Sequence, residues 1–355
     1  MRANGSPAGR DVQRLWPGSP PGPLRPVVVD AGHALVGCHG RQTARVQTVP
    51  WRQAWSAALY GPDGFFLRSA PADHFRTSVA ASPQFAVAVR RLAGLVDDAL
   101  GRPDPFDVVD VGAGRGTLLA ALPDVPDRWR LTGVDLSPDP GLDGIAWRAD
   151  VPELEGLLFS NEWLDDVPLD VVFDDRVVEV APDGTESLGP PASQEAFDWA
   201  STWWPHGRRV EVGLTRDRAW AAAVGQVRRG LAVTVDYGHV LGDRGTRGDR
   251  RPTLTGWRNG RPVHPVPDGS CDITAHVALD AVAAATGGRL LPQADALSLL
   301  GIRADHPPKE LSKTDPHGYL AQLATASSAA ELLDRRGLGS YGWVVVPVGI
   351  EDPLA

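Results

Sequence analysis

Lysine and cysteine are scarce in this chain of 355 residues. The two cysteines, Cys38 and Cys271, lie far apart, which argues against a disulfide scaffold or a zinc site and favours a reducing cytoplasm. The net charge of −9 argues against nonspecific binding to nucleic acid or to anionic membranes. Lys309 and Lys313 are the only lysines among 35 basic residues, so clusters of arginine reflect composition and carry no functional argument. We therefore expect a cytoplasmic bacterial protein without a metal ion or a nucleic-acid partner.

Long apolar runs are also absent. No stretch reaches the length of a membrane span, and the N-terminus lacks the apolar core of a signal peptide. Residues 1–48 lack clear periodicity, and the part through Pro26 is rich in Pro, Gly and Arg. We expect a disordered or wrongly assigned extension there, with Val27–Val29 as a candidate strand. Beyond it we expect a helical cap over residues 49–100 and one domain over residues 101–355.

The central pattern of the chain is a strand, a glycine turn and a helix at residues 106–122. A β-branched run at residues 108–111 is typical of a strand buried in a parallel sheet. Gly112, Gly114 and Gly116 follow at every second position, and the helix begins after them. Glycines let the backbone turn sharply and let a ligand lie against its N–H groups. The pattern indicates a nucleotide-binding unit and predicts an α/β fold with a doubly wound, mainly parallel sheet.

The spacing of the glycines indicates which cofactor to expect. The next strand ends in Asp135, close to the distance at which an acidic side chain binds a ribose diol. A dinucleotide fingerprint requires G-x-G-x-x-G, whereas here Gly116 comes one residue early and Thr117 takes the place of the third glycine. This spacing is similar to the first motif of class I S-adenosylmethionine (SAM) methyltransferases, whose cofactor has no phosphate. The alternatives are a glycine-rich turn without a ligand and an NAD-dependent dehydrogenase.

Three more strand ends carry polar residues. A short strand near Trp147 places Asp150 where an adenine amine would lie, with a surface turn as the alternative. Asn161 and Glu162 end a buried strand that begins near Gly156. Since ligands of doubly wound sheets bind at the carboxyl ends of strands, Asn161 and Glu162 are the best catalytic candidates. A structural salt bridge is the alternative for Glu162.

A second buried strand, from Gly230, ends in Asp236, Tyr237 and His239. We expect these three side chains at the same edge of the sheet as Glu162, with a purely structural histidine as the alternative for His239.

Apolar periodicity and turn residues organise the remaining segments. The predicted helices are Trp51–Tyr60, Pro83–Leu100, Phe197–Trp204 with exposed tryptophans, Leu214–Arg229, and a helix for which Asp272 is the N-cap. Two insertions are expected, an extended arm within about residues 169–204 and a lid-like loop over about residues 241–270. Short strands at Arg289–Leu291 and Tyr341–Val348 are expected to form an antiparallel end of the sheet.

From about Val49 to the C-terminus, the motifs in their order resemble the MidA family of SAM-dependent methyltransferases. Residues 58–66 resemble the family segment ALY-P-x-x-G-Y-Y, and residues 75–78 resemble F-x-T-S. Residues 110–118 resemble E-x-G-x-G-x-G-x-L, and residues 160–168 resemble A-N-E-x-x-D-A-x-P. Asp236-Tyr237-Gly238 and residues 272–277 also match closely. Ala72-Asp73-His74 departs from the family's Gly-Asp-Phe, and the loop before residue 272 lacks its usual residues, which puts the protein substrate in doubt.

The resemblance implies a cofactor, an acceptor and a set of site residues. Mitochondrial members of the family help to assemble respiratory complex I, which implies methylation of a protein arginine, with a respiratory-complex subunit as the candidate partner. The predicted cofactor-binding residues are Thr77, Ser78, Asp110, Gly112, Ala113, Gly114, Gly116, Asp135, Leu136, Asp150 and Val151. The predicted catalytic residues are Asn161, Glu162 and Asp236, and the predicted substrate-binding residues are Tyr237, His239 and His276. A SAM-binding assembly protein without turnover is the alternative function.

Overall fold

The computed structural model of the chain describes residues 47–68, 77–244 and 252–355. The sequence predictions for Val27–Val29, Ala72–His74 and the first half of the F-x-T-S motif lie outside these ranges, as does Cys38. Among the helices of the described residues, none is long and apolar enough to cross a membrane.

The described residues fold into helices and strands that are numbered here in chain order. The helices are α1 (Trp51–Tyr60), α2 (Phe65–Arg68), α3 (Ser78–Ala81), α4 (Pro83–Ala99), α5 (Thr117–Ala120), α6 (Gln194–Trp203), α7 (Leu214–Val224), α8 (Leu279–Thr286), α9 (Gln293–Leu299), α10 (Leu311–Thr314) and α11 (Pro316–Leu333). The strands are β1 (Val49–Pro50), β2 (Phe106–Val111), β3 (Trp129–Val134), β4 (Ile145–Arg148), β5 (Leu154–Asn161), β6 (Asp170–Phe173), β7 (Arg176–Val180), β8 (Glu186–Pro191), β9 (Arg209–Val212), β10 (Val227–Asp236), β11 (Gly238–His239), β12 (Thr255–Arg258), β13 (Arg261–Val263), β14 (Asp272–Thr274), β15 (Val277–Ala278), β16 (Arg289–Pro292) and β17 (Gly342–Val348).

A seven-stranded mixed sheet is the largest sheet of the described structure, with the strand order β16-β17-β10-β5-β2-β3-β4. The five strands from β10 to β4 run parallel to one another. Strand β17 runs antiparallel to both β10 and β16, so the predicted antiparallel end near the C-terminus is confirmed. The carboxyl ends of β2, β3 and β5 therefore meet at one edge, and this brings together the polar residues that follow these strands.

Apolar clusters cover both faces of this sheet because neighbouring residues of a strand point to opposite sides. On one face, Val108 packs in a cluster with Phe85 of α4 and Leu297 of α9. On the other face, Val109 packs in a cluster with Trp220 of α7 and Val282 of α8. The predicted helices over residues 51–60 and 83–100 are confirmed as α1 and α4. Both surfaces of β2 are thus buried, as its continuous β-branched run predicts.

A second sheet contains the predicted arm. Strands β1, β7, β6 and β9 are neighbours in that order, and β8 pairs with β7. Helix α1 packs against this sheet, since Trp51 and Trp55 lie in one cluster with Val171 and Val178. The segment after residue 169 is therefore a built sheet that the N-terminal helix covers.

Two sequence predictions between residues 197 and 229 need correction. Trp199 and Trp204 are buried, because they pack against β9 in a small cluster with Val210. The predicted helix over Leu214–Arg229 ends at Val224, where the chain turns at Gly225 and enters β10.

The helix expected after Asp272 is also absent there, and α8 begins at Leu279. Asp272 lies in β14, where it pairs with Trp257 of β12. The predicted lid over residues 241–270 contains strands β12 and β13. They are joined by Asn259 and Gly260, both with positive φ, at 52° and 72°. Asn-Gly is the preferred sequence of this hairpin turn, so the sequence contained the signal.

A shortened chain beginning at Gln47 is expected to keep the full stability of the fold. Its first residues would still form β1 on β7, and Thr48 Oγ1 would still donate a hydrogen bond to Glu179 Oε2, at 2.6 Å. We expect the thermal midpoint to change by less than about 2 °C in calorimetry, a shift that corresponds to a fraction of a kcal/mol. A chain beginning at Gly61 is the control, and it should lose far more because it lacks Trp51 and Trp55. A large loss in the Gln47 chain would show that residues 1–46 belong to the core.

Candidate functional site

Two neighbouring cavities lie at the edge of the sheet where β2, β3 and β5 end. The large cavity has a volume of about 360 Å³ and the small cavity one of about 110 Å³. Gly112, Gly114, Arg115 and Glu162 line both of them. The volume of the large cavity falls within the range of about 300–1,000 Å³ that is usual for small-molecule sites. The predicted glycine turn therefore forms the wall between two parts of one candidate site.

The three glycines of the turn have positive φ angles, and the space around two of them differs. A Cβ on Gly112, whose φ is 72°, would lie 2.8 Å from the Cβ of Trp163. A Cβ on Gly114, whose φ is 58°, would meet no atom within 4 Å and would project into open space. The bare backbone at Gly114 thus faces the cavities, where a ligand can approach it.

Asp135 is the first residue after β3 and lines the large cavity. Its Oδ2 accepts a hydrogen bond from the amide of Gly114 at 2.8 Å, and its Oδ1 accepts one from the amide of Ser137 at 2.7 Å. The carboxylate therefore fixes the glycine turn and still has lone pairs for a ligand. The predicted proximity of Asp135 to the glycine turn is observed.

Asp110 and Thr77 lie at the small cavity. Asp110 is the last residue but one of β2 and is buried. Burial, and secondarily the charge of Asp135, raises the pKa of Asp110 to about 8. Thr77 precedes α3, and its Oγ1 accepts a hydrogen bond from the amide of Ala80 at 3.3 Å. Ala113 lines the same cavity, so Asp110, Thr77 and Ala113, which are all predicted cofactor residues, meet there.

Glu162 lies at the junction of the two cavities in an unusual backbone conformation. Its φ is 52°, a region that costs a residue with a side chain about 1–3 kcal/mol. Its amide donates to the carbonyl of Val235 at 2.8 Å. Its Oε1 accepts hydrogen bonds from the amide of Ser78 at 2.8 Å and from Nδ2 of Asn161 at 2.9 Å. The strained conformation thus aims a carboxylate at the sheet edge and holds it there.

The pKa of Glu162 is raised to about 7, chiefly because the carboxyl group is withdrawn from water. The hydrogen bond from the Ser78 amide opposes this shift, and the charge of Asp165 adds to it. A carboxyl group with a pKa near neutrality can accept or release a proton under ordinary conditions. This property is of the kind that a catalytic carboxyl group requires, and Glu162 remains a catalytic candidate, with Asn161 as its hydrogen-bond partner.

Several other predicted site residues lie away from the cavities. Asp236 is fully buried, and its Oδ2 accepts hydrogen bonds from the amides of Leu164 and Asp165 at 3.0 and 3.2 Å. It therefore fixes the 3-10 helix Leu164–Asp166 that follows β5. The hydroxyl of Tyr237 is 2.8 Å from Thr274 Oγ1.

His239 and His276 lie behind the end of β10, the strand whose last residue is Asp236. His239 is buried beside Arg244, whose Nε is 3.0 Å from the Nδ1 of the imidazole. Burial and then the charge of Arg244 lower the pKa of His239 to about 3, so it stays neutral. His276 is exposed, and its ring contacts Tyr237 edge to face at 5.3 Å. Neither histidine is among the lining residues of the two cavities.

Five predicted cofactor residues are not among the lining residues of either cavity: Ser78, Gly116, Leu136, Asp150 and Val151. Asp150 is exposed and is 3.7 Å from Arg148 in an ion pair. Val151 is buried in the core beneath the sheet, and Leu136 is exposed next to Asp135.

Sequence reasoning missed one wall of the large cavity. Tyr60, Phe66, Arg68, Trp163 and Asp166 contribute to that wall. Tyr60 and Phe66 belong to the segment that resembles ALY-P-x-x-G-Y-Y, so the motif contained a signal for them. The described ranges contain no group of three His, Cys, Asp or Glu side chains arranged to hold a metal ion.

A buried arginine supports the backbone behind this wall. Arg216 is only 1% exposed, and its guanidinium donates to the backbone carbonyls of Asp165, Val167, Ala275 and His276. Each of these bonds ends on a carbonyl, so the guanidinium joins the 3-10 helix after β5 to the segment between β14 and β15.

Comparison with known proteins agrees with this geometry. A family model described as "Putative S-adenosyl-L-methionine-dependent methyltransferase" matches residues 133–291. No curated protein matches the chain.

Two solved structures from Burkholderia thailandensis resemble the whole described fold. One is described as a "likely methyl transferase" and is bound to S-adenosyl-homocysteine. Its TM-score against this chain is 0.69 and its sequence identity is 25%. The match covers 86% of this chain and 89% of that chain. The other is a native structure of an uncharacterized protein, with a TM-score of 0.68, the same identity and the same coverage.

The unusual acidity of Glu162 can be measured without knowing the reaction. In a ¹³C NMR titration of carboxyl-labelled protein, we expect one glutamate signal to titrate near pH 7 and to be missing from Glu162→Gln. Because the pKa in the folded state is raised, ionisation of Glu162 destabilises the fold. The free energy of unfolding of the wild type should therefore fall relative to Glu162→Gln as pH rises from about 4.5 to about 7. A glutamate titration confined to the region of pH 4 would contradict this environment.

Proposed function

We propose that this chain binds SAM and methylates a protein arginine, as its resemblance to the MidA family of SAM-dependent methyltransferases implies. The matching family model and the two solved structures support the SAM-dependent methyltransferase part of this proposal. The observation that carries the proposal is the junction of the two cavities, where the bare backbone of Gly114, the carboxylate of Asp135 and the carboxylate of Glu162 meet. On this proposal the seven-stranded sheet is the doubly wound sheet of a class I methyltransferase. The helices over residues 49–100 are a cap on the domain that follows.

The residues around the glycine turn fit an adenosine-bearing cofactor. Gly114 leaves space for a ligand against its backbone, and Asp135 offers an acceptor for ribose hydroxyls. Asp110, Ala113 and Thr77 line the small cavity, where a polar ligand end would find acceptors and hydroxyl groups. We assign the cofactor to these residues together with Gly112 and Gly116. When bound, SAM supplies a methyl group on a sulfonium, and this intrinsic reactivity belongs to the cofactor.

Glu162 is assigned to the acceptor. A guanidinium keeps its proton at neutral pH, so an arginine acceptor needs a carboxylate to pair with its charge and to receive a proton. Glu162 is pre-oriented by Ser78 and Asn161, and its pKa near 7 allows it to take that proton. Fixing the acceptor nitrogen in one orientation and excluding water can lower a barrier by about 7–11 kcal/mol. Asn161 then acts as a positioning residue.

Asp236 has a different role from the one that the sequence suggested. Its oxygens are engaged by backbone amides and lie outside the cavity linings, so we assign it to the support of the segment after β5. Tyr237, His239 and His276 form a layer behind it and are proposed as neighbours of the protein substrate. The candidate partner, a respiratory-complex subunit, is a proposal that the family resemblance supports, and the cytoplasmic location is a proposal that the scarcity of cysteine supports.

Replacement of Asp135 tests the cofactor assignment. Since hydrogen bonds to a charged acceptor contribute roughly 1.5–3 kcal/mol, Asp135→Ala should weaken SAM binding by about ten- to a hundredfold in calorimetry. The SAM affinity of Asp135→Asn should lie between those of Asp135→Ala and the wild type, because the amide oxygen of asparagine can still accept the hydrogen bonds of one carboxylate oxygen. Asp143→Ala, in the exposed part of the same loop, is the matched control and should bind like the wild type. A change below about twofold in Asp135→Ala would move the ribose contact elsewhere.

Replacement of Glu162 tests the chemistry. Glu162→Gln keeps the shape of the side chain and should leave SAM affinity within a few fold. Mass spectrometry of co-expressed respiratory-complex subunits should then show methylarginine with the wild type and about a hundredfold less with the variant, the loss expected for a positioned proton acceptor. SAM binding with no methylarginine in the wild type would favour an assembly protein without turnover. Loss of SAM binding in Glu162→Gln would make Glu162 a cofactor ligand.

A further inference from the structure

One carboxyl group on the wall of the large cavity has an oxygen without a partner. Asp166 is 8% exposed and lines the cavity, and its Oδ1 is buried without a hydrogen-bond partner. The backbone of the same residue is held in place, since its carbonyl accepts a hydrogen bond from the Tyr60 hydroxyl at 3.2 Å. Buried carboxyl oxygens are normally paired, because withdrawal from water without a partner costs about 1–3 kcal/mol or more.

The charged groups around Asp166 leave this oxygen unpaired. Asp272, Asp165 and Asp236 are the acidic neighbours that raise the pKa of Asp166 further after the effect of burial. Asp272 is fully buried, and neither of its carboxyl oxygens has a hydrogen-bond partner. The nearby cation is Arg216, and the hydrogen bonds of its guanidinium go to backbone carbonyls. The cluster therefore contains more acidic than basic side chains, and it lies next to a cavity.

Most of the rest of this wall is aromatic. Tyr60 and Phe66 line the cavity, with ring centroids 5.4 Å apart, and Trp163 lines it as well. Arg68 completes the wall, and its guanidinium donates a hydrogen bond to the carbonyl of Gly269 at 3.0 Å. Aromatic faces attract cations, and the attraction grows when the cation is removed from water. In the whole cavity lining, acidic side chains outnumber basic ones: Asp135, Asp139, Glu162 and Asp166 against Arg68 and Arg115. An aromatic surface next to an unpaired carboxyl group, in a lining with more acidic than basic groups, is complementary to an organic cation.

We infer that Asp166 is a specificity-determining residue, which binds the positive charge of the methyl acceptor from the aromatic wall of the large cavity. This inference rests on the proposed function and adds a second carboxylate to the acceptor site. Glu162 receives the proton, and Asp166 selects a cationic acceptor over a neutral one of the same shape. The segment of residues 160–168 resembles a motif with alanine at the position of Asp166, so this carboxyl group is a departure of the chain from that motif.

A different role for Asp166 would use it as a protonated acid. In that case it would donate a hydrogen bond to a neutral carbonyl group of a ligand, and asparagine at position 166 would keep such a donor. The charge of the acceptor separates the two roles, because only an ionised carboxylate discriminates between a guanidinium and a ureido group.

The test compares two short peptides that differ in one side chain. One contains arginine and the other contains citrulline, whose ureido group has a similar shape without the charge. Binding is measured by calorimetry to the full chain saturated with S-adenosyl-homocysteine. The variants are Asp166→Asn, Asp166→Ala and the matched control Asp143→Asn, which removes the same charge from an exposed loop position outside the cavity linings. Asp166→Ala introduces the residue of the resembled motif, so a folded variant is available even if the amide is poorly tolerated.

We expect the wild type and Asp143→Asn to prefer the arginine peptide, and both Asp166 variants to lose that preference by about ten- to a hundredfold. Affinity for the citrulline peptide and for S-adenosyl-homocysteine should stay unchanged. A full arginine preference in Asp166→Asn and Asp166→Ala would overturn the inference and leave the proposed function intact. A wild type without any preference would overturn the cationic acceptor itself. Failure to bind S-adenosyl-homocysteine would separately overturn the cofactor assignment.

Discussion

The two hydrogen bonds that Oε1 of Glu162 accepts join parts of the chain that are far apart in sequence. Ser78 begins α3 in the N-terminal cap, and Asn161 ends β5 in the central sheet. This carboxyl group therefore helps to hold the N-terminal segment next to the glycine turn. That segment supplies Thr77 to the small cavity, and Tyr60 and Phe66 to the large one, so both cavities include parts of the chain on either side of this junction. Glutamine at position 162 would keep an oxygen that can accept the same two hydrogen bonds, so its effect on the junction should be smaller than its effect on proton transfer.

Electrostatic imbalance distinguishes the two sides of the site. Around the glycine turn, Asp135 has backbone amides as partners, and its charge is accommodated by the fold alone. Behind the aromatic wall, Asp166 and Asp272 carry oxygens without partners. A fold keeps unpaired buried carboxyl groups only where their cost is offset, and a cation bound in the neighbouring cavity would offset it. On the proposed function, one half of the site is ready for the cofactor, and a cationic acceptor would balance the acidic groups of the other half.

The sequence predicted what local patterns determine. The strand, the glycine turn and Asp135 follow from periodicity and spacing over about thirty residues, and the structure brings them together. Asp272 was misplaced because a polar residue before an apolar run resembles a helix cap, whereas pairing with Trp257 places it in a strand. The aromatic wall was not predicted, because it forms from segments separated by long stretches of chain. Tyr60 reaches the backbone of Asp166 across 106 positions, and no periodicity reports such a contact.

The placement of α1 has a consequence for the order in which the chain folds. Trp51 and Trp55 are fully buried against Val171, Val178 and Ile273, which leave the ribosome long after α1 does. Until those residues have been synthesised, α1 has no apolar sheet surface to pack against, and its tryptophans remain exposed to solvent. Contacts of such large sequence separation form slowly, since a long loop must close before they stabilise the fold. On the proposed function, the wall that binds the acceptor includes Tyr60 of this helix, so this part of the site would be complete only after the chain has been synthesised as far as residue 273.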